Sequence, residues 1–352
     1  MRFLNLTLWY SLLSAFSTEP RLEYPLLSPA GISRSVTADS VTASDVEPGR
    51  TDIIFQSRDG GQTWKDISLS LPEDEQPEDF FAGASEVYIR FKNAMYRSKS
   101  NLKTPVWEQE NVPDPRRASI AFNRSGIMAY HDEGQIRQKA PAAGTWLPVY
   151  TNFRKHSVRT IFETSDGTVF LGCDNGLYKS ADQGRSWKQV LDGGWVMALV
   201  ESEGVLVGTS ERGIIRSADN GERWEPVISE GGVGIAVERI DGGFAAISYN
   251  SSTKSRRIRI SLDKGQNWKA IDEGLPPSPV ISSIKQVGRY LICGHPAGIF
   301  RSSDMGKTWS IVLSGSQNTF GAFGAFDVSQ GKVFTVYVSG NVLYAVARDA
   351  GC

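Results

Sequence analysis

Carboxylates and histidines sit at a handful of turns where they could do acid–base work. They are Asp132 with Glu133, Asp174 and Glu211, with His131, His156 and His295 at comparable places. Two carboxylates facing each other across about 6.5–9.5 Å could hydrolyse a glycosidic bond with inversion, one protonating the leaving oxygen and the other activating water. Those four acidic residues are therefore the catalytic candidates. Histidines converge on a metal only when all reach it at about 2 Å, and these three belong to distant stretches. No metal site and no cofactor is expected. Nucleophile chemistry has no support either. The chain has no Gly-x-Ser-x-Gly elbow, no internal cysteine beside a histidine, and no glycine-rich loop opening a helix.

A second set of acidic residues dictates the elements that would position the first. The pattern Ser-x-Asp-x-Gly-x-x-Trp occurs five times, at 57–64, 180–187, 217–224, 261–268 and 302–309. Eroded copies at 98–107 and 138–146 keep the tryptophan, and the seven tryptophans follow one another at steps of 43, 39, 41, 37, 44 and 41 residues. A period near forty means one supersecondary unit repeated. In the clearest unit, short β-rich runs at 196–200, 205–208, 214–217 and 224–228 are separated by Gly, Asn and Asp turns. Four such runs read as a four-stranded antiparallel blade. Blades closed around an axis make an all-β propeller, which leaves only short sheet edges. The motif falls between the third and fourth strands. There an aspartate can accept hydrogen bonds from downstream N–H groups, and the glycine tolerates a positive φ. Asp59, Asp182, Asp219, Asp263 and Asp304 are thus expected to be structural, as are the anchors Trp64, Trp187, Trp224, Trp268 and Trp309.

These motifs resemble the Asp-box, or BNR, repeat of sialidases, xyloglucanase-type glycosidases, sortilin-like receptors and propellers similar to photosystem II assembly factors. The longer form Gly298-Ile299-Phe300-Arg301-Ser302-Ser303-Asp304-Met305-Gly306-Lys307-Thr308-Trp309 is nearest to the assembly-factor-like and xyloglucanase-like versions. The resemblance covers about residues 51–313 and is specific for fold rather than chemistry. The sialidase version implies an Arg-Ile-Pro motif, which this chain lacks. The xyloglucanase version implies two propellers clasping a glycan, so one propeller supplies half a cleft, with Trp195 and Tyr249 as the sugar platforms. The assembly-factor version implies an arginine-rich patch for a partner. Arg116, Arg117, Arg154, Lys155 and Arg159 are similar in kind.

Seven tryptophans argue for seven blades. C-terminal inner strands paired with N-terminal outer strands would close the ring. A third C-terminal run, at 321–327, leaves eight blades open. Turns between second and third strands and connections between blades should share one face, away from the motif turns. His131, His295, Trp195 and Tyr249 fall there with the arginines, and complete the partner-binding candidates. An acidic connection at 73–79 and basic ones at 116–117 and 154–156 give that face two charge sectors.

Composition and the chain ends set the remaining expectations. With 38 Lys and Arg against 39 Asp and Glu, nothing draws the chain globally to nucleic acid or an anionic membrane. Residues 1–17 read as a signal peptide, too short for a bilayer span. Residues 18–50 read as a polar linker or ring-closing segment, and 51–352 as one propeller domain. Cys173 and Cys293 fall at matching strand positions as buried small hydrophobes, and Cys352 as a free terminal thiol. The sequence thus reads as an exported (secreted or periplasmic) propeller. It would bind another protein in an assembly or stability role, without catalysis of its own. The alternative is a glycan-binding protein or glycoside hydrolase.

Overall fold

The computed structural model describes residues 53–349 apart from 73–74, 132–133, 142, 150–156 and 315–331. The signal-peptide and linker readings, Asp132, Glu133, Arg154, Lys155, His156, the run at 321–327 and Cys352 lie outside the described residues.

Seven four-stranded antiparallel sheets make up the chain. Six use consecutive strands, spanning 79–110, 118–148, 158–192, 196–228, 234–270 and 283–314, here blades 1 to 6. Blade 7 is composite: Lys332–Ser339 and Val342–Asp349 are followed by Ile54–Ser57 and Lys65–Asp66, with Phe55 opposite Ala345 and Ile54 opposite Val346. The first strand of each blade touches the first strand of the next all the way round, and blade 7 touches blades 6 and 1. The ring is therefore a closed seven-bladed propeller, not an eight-bladed one. Among the described residues the one helical turn is a 3-10 turn at Pro115–Arg117, and no helix is long and apolar enough to cross a membrane.

The strands form where the pattern of short apolar runs requires it, and the core lies between blades. Phe170, Leu177 and Leu206 pack with Val196 and Ile215 across blades 3 and 4. Ile247, Ile258, Ile284 and Cys293 do the same across blades 5 and 6. Cys173 and Cys293 are fully buried, and burial pushes the Cys173 thiol up to about 12.

The motif turns share one hydrogen-bond pattern. In the turn of blade 7, Ser57 Oγ donates to Asp59 Oδ1 at 2.8 Å and accepts the Gly61 N–H at 3.0 Å. Asp59 also accepts the N–H groups of Gln62 and Thr63 at 2.9 and 3.0 Å. The Ser–Asp and Gly–Ser bonds recur at Ser180–Asp182–Gly184, Ser217–Asp219–Gly221, Ser261–Asp263–Gly265 and Ser302–Asp304–Gly306, where each aspartate also accepts one or two downstream N–H groups. Each aspartate is engaged within its own turn. The indole N–H of Trp64, Trp187, Trp224 and Trp268 donates to the glycine carbonyl of its turn at 3.0–3.2 Å. Those of Trp107 and Trp309 cross instead to the neighbouring blade, at Ile67 and Ile271 carbonyls.

Where the motif is eroded, a charged cluster joins blades 1 and 2. Lys139 is 9% exposed and donates to Glu110 Oε2 and Tyr88 Oη, both at 2.8 Å. Trp146 Nε1 donates to Glu110 Oε1 at 3.0 Å, and Arg97 Nε lies 3.2 Å from the same carboxylate. Every polar atom of Glu110 has a partner, which a buried carboxylate needs.

Two predictions follow from the turns. Hydrogen bonds hold Asp182, Asp263 and Asp304 at a pKa of about 2: the Ser186 hydroxyl chiefly for Asp182, the Asn267 N–H for Asp263, the Thr308 hydroxyl for Asp304. The unfolded value is about 3.9, so this stabilisation is complete above about pH 4 and is lost as pH falls through about 2. Thermal melts between pH 5 and pH 2 should fall across that window. The Asp→Asn triple variant should start lower at pH 5 and fall less steeply. The second prediction concerns Gly306, which has φ +82° and no room for a Cβ, which would sit 2.7 Å from Ile271. Gly204 has φ +75° and open space. Denaturant titration should find Gly204→Ala costing about 1–2 kcal/mol from backbone conformation alone, and Gly306→Ala about 1–3 kcal/mol more from overpacking.

Candidate functional site

Strand direction divides the ring into two faces. Turns joining first to second strands lie with the Ser-Asp-Gly-Trp turns. The second-to-third-strand turns and the blade-to-blade connections lie opposite, and this loop-lined face is the candidate site.

The structure distributes the predicted residues widely over it. Arg116 and Arg117 are exposed on the 3-10 turn entering blade 2. Arg116 lies 3.9 Å from Asp114, and its carbonyl accepts a hydrogen bond from Arg90. Arg159 is exposed at the start of blade 3, with its carbonyl accepting from Tyr130 Oη at 3.1 Å. Asp174 and Glu211 are exposed on the turns of adjacent blades 3 and 4. The Glu211 N–H donates to the carbonyl of half-buried Trp195 at 3.2 Å. Half-buried Tyr249 donates its N–H to Val233 at 2.9 Å, and its ring closes over Gly232.

His131 and His295 are both inside the fold, at 4% and 2% exposure. His295 Nδ1 accepts the Ala297 N–H at 3.0 Å, and Nε2 then carries the proton to the Pro276 carbonyl at 3.0 Å. Burial lowers its pKa, so it stays neutral and pins the connection that runs from blade 5 to blade 6. No group of described residues could hold a metal ion.

Among the described residues, four carboxylates lie on the innermost strands of the blades. Each is tied down. Asp79 accepts from Arg348 Nη2 at 3.3 Å across the blade 7–blade 1 seam, with Arg90 at 3.8 Å. Glu163 accepts the Ser125 N–H of blade 2 at 2.8 Å. Glu201 accepts both the N–H and Oγ of Ser165 in blade 3 at 2.6 Å. Glu238 pairs with Lys285 of blade 6 at 2.5 Å. These are latches between blades.

Sequence reasoning passed over a row of arginines on the third strand of blade 5, Ser255–Ser261. Arg257 makes a two-point pair with Asp272 at 2.5 and 3.1 Å, and Arg259 reaches Ser248 at 3.1 Å and Glu230. Arg256 and Arg257 line a cleft of about 600 Å³ beneath Leu275 and Pro276. The Arg-Arg-x-Arg spacing was the available signal, since alternate residues of a strand share a face.

No protein-family model and no curated protein matches the chain. Solved structures do share its fold. A GH74 xyloglucanase from Xanthomonas campestris superposes with a TM-score of 0.57 at 13% identity, covering 76% of this chain and 52% of its own. YCF48 bound to D1 peptide gives 0.52 at 14% identity, covering 80% and 94%, and YCF48 from Cyanidioschyzon merolae gives 0.52 at 13%, covering 79% and 97%. The extracellular domain of a putative one-component system from B. thetaiotaomicron gives 0.55 at 11%, covering 72% and 37%. The chain thus spans well under half of that ectodomain, about half of the xyloglucanase and nearly all of YCF48. At these identities the likeness is one of fold: a β-propeller whose neighbours include both assembly factors and glycoside hydrolases.

Proposed function

We propose that the chain is a protein-binding module of an assembly or stability kind, acting through its loop-lined face without catalysis of its own. The observation that carries this reading is the state of the inner-strand carboxylates. Asp79, Glu163, Glu201 and Glu238 are all engaged by neighbouring blades, so among the described residues no inner-strand carboxylate is left loose for acid–base work. Asp174 and Glu211 stand exposed on the second-to-third-strand turns of blades 3 and 4. The basic sector supports the same reading. Arg116, Arg117 and Arg159 are exposed along one arc of the rim, and such charge steers an acidic partner and sets its orientation. YCF48, which this chain nearly matches in length, holds a peptide. A propeller of this size is therefore sufficient for the task. The reading of residues 1–17 as a signal peptide supports a secreted or periplasmic location for the module.

Crosslinked capture from the extracytoplasmic fraction, with a glycan array in parallel, tests the proposal. The wild-type chain should return a reproducible protein partner and leave the array blank. Arg116→Glu with Arg117→Glu should slow association by about tenfold at low salt, with a smaller effect at high salt. A saturable glycan signal with no protein partner would overturn the reading in favour of a sugar-binding propeller.

A further inference from the structure

On the loop-lined face, three consecutive blades break their strand register at the same height. Between first and second strands the pairing shifts at Val158/Thr160 in blade 3, Val196/Leu199 in blade 4 and Gly234/Ala236 in blade 5. The corresponding ladders of the other four blades run without a shift. A bulge takes its extra residue out of the in–out alternation and re-aims the side chain. The residues so released are Arg159, Met197 with Ala198, and Ile235. Arg159 is exposed, Met197 is 51% exposed and Ile235 is half-buried. In the four regular ladders the second residue of the inner strand is never exposed: Phe80 and Ile284 are buried at 2% and 1%, and Ser119 and Val333 are half-buried.

The bulges are held from behind. The Ala198 N–H donates to Oγ1 of fully buried Thr209 at 3.0 Å. Gly172 lies so close to the Val196 carbonyl that no Cβ fits between them, and Gly234 stands likewise against the Gly213 carbonyl and Thr209. The arc thus carries, on three adjacent blades, the exposed Arg159, the exposed thioether of Met197 and the half-buried Ile235, which also packs on the blade 5–6 core, with exposed Asp174 and Glu211 on the turns of blades 3 and 4. Methionine is a side chain that adapts to varied apolar partners. Apolar groups set beside a cation at a channel mouth complement one chemistry: an apolar side chain flanked by negative charge.

We infer that the channel mouth along blades 3–5 is the recognition element of the loop-lined face, and that it takes a partner-protein segment in which an apolar side chain stands beside acidic residues. This rests on the protein-binding reading above. Met197 receives the apolar side chain, with the outward part of Ile235 at its edge, and Arg159 pairs with its acidic neighbour. Arg116 and Arg117 extend the positive field along the rim.

The test pans a random dodecapeptide phage library on the immobilised full-length chain. Enriched peptides should carry Leu, Ile, Phe or Met next to Asp or Glu. A fluorescein-labelled copy of the leading peptide should bind Met197→Glu and Arg159→Glu about tenfold or more weakly than wild type. Arg289→Glu, exposed on the opposite face, should bind as wild type. All three replace exposed side chains, and near-ultraviolet circular dichroism of the tryptophans checks that the fold persists. Basic or purely polar winners, or equal binding to Met197→Glu, would overturn the inference. Loss of binding on Arg116→Glu with Arg117→Glu but not on Met197→Glu would overturn it while leaving the protein-binding face intact. Absence of any enrichment over bare support removes it, and an empty partner capture would then remove the broader reading as well.

Discussion

Four residues hold the ring shut. Ile54–Ser57 are buried throughout and pair on one side with Leu343–Val346 and on the other with Lys65 and Asp66. A four-stranded blade has two apolar faces and can bury both only between neighbours, so every blade depends on closure. An open array would expose a sheet face at each end. The seam is reinforced where the chain ends meet. Ser283 Oγ accepts the Val336 N–H at 2.8 Å on the blade 6 side, and Arg348 reaches Asp79 on the blade 1 side. Loss of the short N-terminal strand would therefore unfold far more than the contacts it makes itself, because pairing of distant chain segments closes a loop of nearly the whole domain.

Closure also explains why the repeated turns say so little about activity. Four of the five Ser-Asp-Gly-Trp turns lie against the blade beside them: Gly61 against Ile292, Gly221 against Phe170, Gly265 against Val207, Gly306 against Ile271. Arg216 Nε donates to the Lys264 carbonyl in the next blade's turn, and Arg301 Nε donates to the Gly60 carbonyl at the same position. One face of the ring is thus an interlocked belt of turns. The other face is free of that constraint, and there the connections vary in length and charge from blade to blade. Function can change on one side without disturbing the fold on the other.

The fold was legible because the motif couples local and tertiary demands in eight residues. A turn that needs Ser, Asp and a positive-φ Gly, followed by a tryptophan packed on the blade, leaves its trace every forty residues. The composite closing blade was legible too, from unmatched strands at both ends. The site was less so, for identifiable reasons. His295 stands at a turn and looks exposed in sequence, yet the connection through Pro276 folds over it. His131 is buried as well, at 4% exposure. The bulges at Arg159, Met197 and Ile235 leave no sequence mark, because register is a relation between two strands and the strand pattern alone looks regular. Lys139 and Glu110 fall at degenerate repeats, where the signal that located the other turns had gone.

The carboxylates mark the sharper limit, and they carry a general lesson for repeat proteins. From sequence, Glu163 and Glu201 look the same as acids aimed into a channel. Their partners lie 38 and 36 residues back, at Ser125 and Ser165, and Gln286 meets the Asp241 N–H 45 residues back. Each separation is close to one blade. A polar residue at the end of an inner strand has the preceding blade's turn within reach, and exposed N–H groups there need an acceptor. In a closed ring, the first candidate partner for such a residue is therefore the backbone one repeat earlier. Only polar groups left over after that pairing remain to meet another molecule. Applied around this ring, the criterion sets aside Glu163 and Glu201, and the separate ion pairs of Asp79 and Glu238 remove those two as well. What it leaves on the described rim is a mixed set of exposed groups, Arg116, Arg117, Arg159 and Met197 together with Asp174 and Glu211, and any partner has to be read from those.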